Sequence, residues 1–239
     1  MPKILYAGGA DERETYAREL SAALSDEGLE ADLVFDAPDP ADIDYILYTA
    51  SGGLTDFRPY TNARAVLSLW AGVEKIVGNP TLTQPLTRMV DPGLVEGMRE
   101  WVTGHVLRHH LGIDRHIAGQ DGIWRNDAPA PLARDRAVGI LGLGELGRTC
   151  ADALTCLGFA VTGWSRSERE VPGVTCVHGA EGLKEVLRGS EILVLLLPAT
   201  GETDRLLNAE RLALMPRGAV IINAGRGTVI DDAALLSTL

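Results

Sequence analysis

The 239-residue chain is poor in cysteine, short of basic residues relative to acidic ones, and free of long apolar runs. Cys150, Cys156 and Cys176 are odd in number and lack paired metal-ligand spacing, which argues against a disulfide framework or a zinc centre. They read as small buried hydrophobes in a reducing cytoplasm. The longest apolar run, Ile192 to Leu197, is far too short to span a membrane. The amino terminus, MPKILYAGGADERE, meets acidic residues after one short apolar strand. It shows no small-residue cleavage site, so a secretory signal is not expected. Lysine and arginine total 22 against 33 aspartates and glutamates, a formal net charge of -11 that argues against nucleic acid as a partner. The same imbalance sets a local requirement. If the ligand is an anion, positive charge must be concentrated at one place against the global field. Isolated arginines in loops are therefore the residues to seek. The sequence contains no internal repeat and no low-complexity tract.

What is present is a strand, a glycine turn, a helix and a second strand between Ala137 and Arg166: AVGILGLGELGRTCADALTCLGFAVTGWSR. Ala137 to Leu141 reads as a buried strand, and Phe159 to Trp164 as its neighbour. Between them Gly142, Gly144 and Gly147 are spaced G-x-G-x-x-G and open an amphipathic helix reaching about Leu157. In that context the pattern reads as a dinucleotide-binding turn. Gly142 permits the tight turn, Gly144 lets the backbone approach a pyrophosphate, and Gly147 lets helix and strand pack closely. The unpaired N–H groups of the first helical turn, at Glu145 and Leu146 among others, favour negative charge.

Two strand–helix patterns flank a long helical stretch. The first runs from Met1 to about residue 93, with strands expected at Lys3–Tyr6, Ala31–Phe35, Asp44–Thr49, Ala65–Leu69 and Leu86–Val90 and a helix at Glu12–Asp26. From Leu94 to about Gly119, apolar residues recur at three- and four-residue steps, which predicts a helix. Gln120 to Arg136 reads as a polar connecting arm. Residues 137–239 carry the second pattern, with further strands at Val174–Val177, Glu191–Leu197 and Ala219–Asn223. Helices are expected at Glu181–Leu187, at Ala209–Met215 and after Val229. Alternating strands and helices give an α/β fold. The expected domains are 1–93, a linking segment 94–136, and a Rossmann dinucleotide-binding domain 137–239. That domain ordinarily has six strands. Five are found, so the chain is expected to be part of a longer protein.

Charge decides the finer expectations. No acid stands at the tip of the second Rossmann strand, where a carboxylate would bind the ribose of NAD. Ser165, Arg166 and Ser167 stand there instead, a set suited to the 2′-phosphate of NADP. Glu168 and Glu170 nearby keep a plain solvated turn open. The next two strands end in Leu197-Pro198, followed by Thr203, and in Asn223-Ala224-Gly225-Arg226-Gly227. Both ends fall on the edge where open α/β sheets bind ligands. The planar fork of Arg226 is matched to a carboxylate.

Together these stretches resemble the D-isomer-specific 2-hydroxyacid dehydrogenase family, in its glyoxylate/hydroxypyruvate reductase A branch. The matches are Leu69-Trp70-Ala71-Gly72-Val73-Glu74, Arg88-Met89-Val90-Asp91, Gly139 to Gly147, Trp164-Ser165-Arg166, Leu196-Leu197-Pro198 and Asn223 to Gly227. The resemblance implies a flavodoxin-like lid domain beside the Rossmann domain. It implies NADPH-dependent reduction of a small 2-oxo acid, with Arg226 as the catalytic arginine and the amides of Ala71 and Gly72 on the substrate carboxylate. Trp70, where many relatives carry glycine, is expected either to shape the substrate pocket or to pack. The cofactor contacts are Gly142, Gly144, Glu145, Leu146, Gly147, Ser165, Arg166, Ser167, Leu197, Pro198, Thr203 and Ala224. A homodimer built on the segment after Leu94 is also implied. An NADP(H)-sensing protein without turnover and an NAD-dependent relative such as phosphoglycerate dehydrogenase remain alternatives. The family's catalytic histidine and its glutamate lie in segments beyond Leu239. The five histidines present, His105, His109, His110, His116 and His178, match neither position. His105 and His109 have metal-compatible spacing but no third ligand in view, so no metal is expected.

Overall fold

In the computed structural model, which describes residues 1–125 and 129–239, the chain divides into two compact units, Met1–Val90 and Asp91–Leu239. Part of the expected connecting arm, residues 126–128, lies outside the described residues. The first unit contains β1 (Lys3–Ala7), α1 (Arg13–Asp26), β2 (Asp32–Val34), β3 (Tyr45–Tyr48), β4 (Ala65–Ser68) and β5 (Leu86–Arg88). Its five strands are all parallel, in the order β2-β1-β3-β4-β5, the flavodoxin-like arrangement. Leu5, Ile46, Phe57 and Val66 form the centre of its core.

The second unit opens with α2 (Pro92–His110) and α3 (Ile113–Ala118). Asp91 caps α2, its Oδ2 accepting the Leu94 N–H at 2.9 Å, with Pro92 pre-set in the first turn. The sequence predicts one continuous helix to about Gly119. The structure breaks it at Gly112, whose φ of 63 lies in the left-handed region. The sheet that follows is built from β6 (Ala137–Leu141), β7 (Ala160–Ser165), β8 (Thr175–His178), β9 (Ile192–Leu195) and β10 (Val220–Asn223). Its order is β10-β9-β6-β7-β8, again wholly parallel, which is the Rossmann order over five strands. The interior strand β9 (ILVL) is buried at all four positions, as a parallel strand covered on both faces must be.

Helices α4 (Glu145–Cys156), α5 (Gly179–Gly189), α6 (Ala209–Leu212) and α7 (Asp232–Thr238) complete this unit. Gly147, Cys150, Ala151 and Leu154 of α4 recur at helical spacing and are buried. Cys150, Ala151 and Leu154 share a core with Val102 and Val106 of α2 and with β6, β7 and β9. Strand β9 ends at Leu195, two residues before the expected Leu197, and α6 is a single turn, shorter than the stretch to Met215 that the sequence suggests. The cysteines need correction: Cys150 is buried, Cys176 is half-buried and Cys156 is exposed. Cys156 closes α4 on its solvent side, whereas Cys150 lies within the core and Cys176 packs against it. None of the described helices is long and apolar enough to cross a membrane.

Beneath the amino ends of β6 and β9 lies a partly buried polar cluster. Arg136 precedes β6 and pairs with Glu191, which precedes β9. His110, at the end of α2, is 6% exposed and stands edge-on to Phe159, with ring centroids 4.9 Å apart. Its Nδ1 has no hydrogen-bond partner. Burial, and then the Arg136 guanidinium, hold the imidazole below its ordinary value, with Glu191 acting in the opposite sense. The folded state therefore keeps His110 neutral where the unfolded chain binds a proton. Its contribution to stability is complete above about pH 6.5 and is lost as pH falls from there through the lower folded value. Thermal melts from about pH 7.5 down to about pH 5 should show a steeper fall in Tm for the wild type than for His110→Leu. Parallel slopes would remove His110 as the source.

Candidate active site

The glycine turn follows β6 and runs directly into α4. Gly142 has φ 108, and its N–H donates to the Trp164 carbonyl of β7 at 2.9 Å. A Cβ on Gly147 would lie 1.8 Å from the Gly142 carbonyl oxygen, so the helix start rests directly on the turn. Gly144 differs: a Cβ there would meet nothing within 4 Å, and no side chain caps the helix. The space in front of Gly144 is therefore open, with the unpaired N–H groups of Glu145, Leu146 and Gly147 beside it. A cradle with room at its mouth and donors at its base fits a pyrophosphate.

At the end of β7 the polypeptide turns through Ser165, Arg166 and Ser167. Ser165 is buried, and its hydroxyl donates to the Ser167 carbonyl at 2.6 Å, so this side chain shapes the turn. The Trp164 indole Nε1 donates to the Gly179 carbonyl at 2.8 Å and anchors the strand end. Arg166 and Ser167 face solvent. Arg166 Nη1 donates to Glu202 Oε2 at 2.5 Å. Glu202 lies on the loop after β9, which also carries buried Leu197 and exposed Pro198. Thr203 organises that loop, its Oγ1 donating to the Pro198 carbonyl at 2.6 Å and accepting the Thr200 N–H at 2.8 Å.

The loop after β10 presents the second arginine. Asn223 holds it at two points: Oδ1 accepts the Gly225 N–H and Nδ2 donates to the Arg226 carbonyl, both at 3.0 Å. Ala224 N–H donates to the Leu195 carbonyl at 3.0 Å, which continues the pairing with β9 by one residue. The Arg226 side chain is exposed at the carboxyl edge of the sheet, and its Nη1 donates to the Gly225 carbonyl at 3.3 Å. Beside this loop Ala224 and Gly225 join Leu94, Met98 and Trp101 of α2 in an apolar groove of about 450 Å³.

In the first unit, the loop after β4 carries Trp70, Ala71 and Gly72. The Ser68 hydroxyl donates to the Trp70 carbonyl at 2.9 Å and accepts the Trp70 N–H at 3.3 Å, which folds the loop back sharply. Trp70 is half-buried. Among the described residues, the Ala71 and Gly72 N–H groups donate to no other group of the chain. Of the histidines, His105 stacks on Trp101 with centroids 4.1 Å apart, and His110 is buried under the sheet. His178 ends β8, at the opposite side of the sheet from β10.

Residues 103–239 match the family described as D-isomer specific 2-hydroxyacid dehydrogenase, NAD binding domain. The chain belongs to that family. A glyoxylate/hydroxypyruvate reductase A from Serratia proteamaculans is 36% identical over 185 residues, covering 74% of this chain and 58% of that protein. The chain thus spans a little over half the length of that curated relative. A crystal structure of a D-isomer specific 2-hydroxyacid dehydrogenase from Xanthobacter autotrophicus Py2, in complex with NADPH and MES, is 37% identical with a TM-score of 0.87. It is matched over 100% of this chain and 76% of that one. An NADPH-dependent glyoxylate/hydroxypyruvate reductase from Sinorhizobium meliloti, in complex with NADP and sulfate, is 34% identical with a TM-score of 0.83. The match covers 99% of this chain and 77% of that one.

Within this dehydrogenase-family framework, the sequence reading overlooked Glu202. Its partner is 36 residues away on another loop, and no periodicity links the two. The available signal was an acid at the ligand edge opposite an arginine. The two glycines of the turn should separate by stability. Gly147→Ala should cost about 2 kcal/mol or more, because backbone must move to admit the methyl group. Gly144→Ala, at the N-cap with open space around it, should cost no more than about 1 kcal/mol. Equal denaturation midpoints for the two variants would contradict the close contact at Gly147.

Proposed function

We propose that the protein reduces a small 2-oxo acid, glyoxylate or hydroxypyruvate, to the 2-hydroxy acid with NADPH. The observation that carries this reading is the placement of two exposed arginines, Arg166 and Arg226, on the carboxyl edge of one parallel sheet, on either side of the glycine turn. The turn from Gly142 to Gly147 cradles the pyrophosphate. Arg166 and Ser167 receive the 2′-phosphate, with Ser165 fixing the bend between them. Leu197, Pro198, Thr203 and Ala224 line the path toward Arg226. NADPH, when bound, supplies the hydride. Arg226 pairs with the substrate carboxylate and stabilises charge growing on the carbonyl oxygen. The open N–H groups of Ala71 and Gly72 in the first unit are likewise suited to a carboxylate. The proton that completes the reduction is assigned to no described residue.

The relatives support the reading through what they are: reductases of glyoxylate and hydroxypyruvate, and structures holding NADP or NADPH. The absence of a carboxylate at the tip of β7 favours NADPH over NADH. Steady-state kinetics with glyoxylate and either cofactor test it. Arg166→Ala should raise KM for NADPH about tenfold or more with little change for NADH. Arg226→Ala should lower kcat/KM for glyoxylate by about 10². Tight NADPH binding without turnover in the complete protein would favour a cofactor-sensing role instead.

We also propose a homodimer, in a cytoplasmic protein. Leu111, just before α3, Ile113 and Ile117 on it, and Ile123 and Trp124 after it are exposed, Trp124 at 91%. Apolar exposure on that scale is ordinarily covered by a partner. Light scattering should give a mass twice that of the chain, and Trp124→Glu should shift it to monomer. A monomeric wild type would dismiss the dimer.

A further inference from the structure

The reading of Arg166 as the 2′-phosphate ligand meets a competitor already in place. Its guanidinium donates to Glu202 at 2.5 Å, across two loops that are far apart in sequence. In the sheet, β6 lies between β7 and β9, so the loops after β7 and β9 flank the glycine turn on its two sides. The ion pair joins those two loops. It is not a chance meeting of two free chain ends, because the Glu202 loop is braced. Thr203 bonds back to Pro198 through its hydroxyl at 2.6 Å, and its N–H donates to the Thr200 carbonyl at 3.1 Å. Arg205, two residues on, takes φ 47 and ties the loop to the Thr228 carbonyl at 2.7 Å. The backbone that carries Glu202 is thus fixed within reach of Arg166. Both side chains remain largely exposed, at 80% and 69%, so the pair is screened by solvent and readily exchanged for a stronger partner.

We propose that Glu202 sets the cofactor selectivity of this site by competing with the ribose 2′-phosphate for Arg166. This rests on the assignment of Arg166 given above. A phosphate monoester carries nearly twice the charge of a carboxylate and has three acceptor oxygens, so it displaces Glu202. NADH has a hydroxyl at that position and leaves the ion pair intact. The cost of breaking the pair therefore falls on NADPH alone. The bridge narrows the NADPH-to-NADH preference relative to an unencumbered arginine. It also keeps Arg166 neutralised until a ligand of sufficient charge arrives. Glu202 is a specificity-determining residue through its hold on Arg166, not through contact with the reacting atoms.

Fluorescence titration of the protein with NADPH and with NADH reads the effect directly, without turnover. Glu202→Gln should tighten NADPH binding about threefold to fivefold and leave NADH unchanged. The gain should shrink as salt is raised. In an Arg166→Ala background the same substitution should have no effect on either cofactor. The proposal is overturned if Glu202→Gln leaves NADPH binding unchanged or weakens it. It is equally overturned if both cofactors tighten alike, since Glu202 would then be repelling the shared pyrophosphate. Arg166→Ala alone separates the two levels of inference. If it leaves NADPH affinity untouched, the assignment of Arg166 fails, and the competition fails with it. If it weakens NADPH while Glu202→Gln does nothing, only the competition fails. Because Glu202 is exposed, an unchanged circular dichroism spectrum and Tm are expected for the variant.

Discussion

The contact on which the second unit depends is the one between the Gly142 carbonyl and the α-carbon of Gly147. It brings the first turn of α4 down onto the end of β6, with a separation that excludes any side chain. Once that contact is made, the direction of α4 is fixed, and with it the burial of Cys150, Ala151 and Leu154 against α2. The same contact leaves the helix N–H groups facing outward beside an unfilled space at Gly144. Close packing and a set of outward-facing N–H donors therefore come from one short stretch of backbone. That is why glycine is demanded at both ends of it for different reasons: φ at Gly142 and proximity at Gly147.

Around this turn, charge is arranged sparingly. The chain is strongly acidic overall, yet two arginines stand exposed on one sheet edge. Each is positioned by its own loop's side chains, Ser165 for Arg166 and Asn223 for Arg226. Each arginine is thus placed by the bend of its own loop. Glu202 belongs to the same economy, since an acidic loop moderates a cation placed within reach.

Much of this was legible in the amino-acid order. Parallel strands buried on both faces announce themselves as apolar runs, and the glycine spacing needs no tertiary information to be read. The position of Arg166 after β7 followed from counting along one unit. What was not legible depended on contacts distant in sequence or on one residue's dihedral. The break at Gly112 sits inside an uninterrupted apolar rhythm, so periodicity ran through it. The exposure of Cys156 follows from where α4 ends against its neighbours, which the spacing of cysteines does not encode. The Ser165 hydroxyl looked available for a ligand until its bond to the Ser167 carbonyl was seen. The pairing of Arg166 with Glu202 required the strand order, which sets the loops after β7 and β9 on the two sides of one turn.

Because both sheets are wholly parallel, the two rims of each have different characters. In the second unit the carboxyl rim gathers the turn and both exposed arginines. The amino rim holds the Arg136–Glu191 pair and the neutral His110 packed on Phe159. His110 is therefore a full strand length away from the exposed arginines. Acidification works on the foundation of the sheet and leaves the opposite rim's arginines charged.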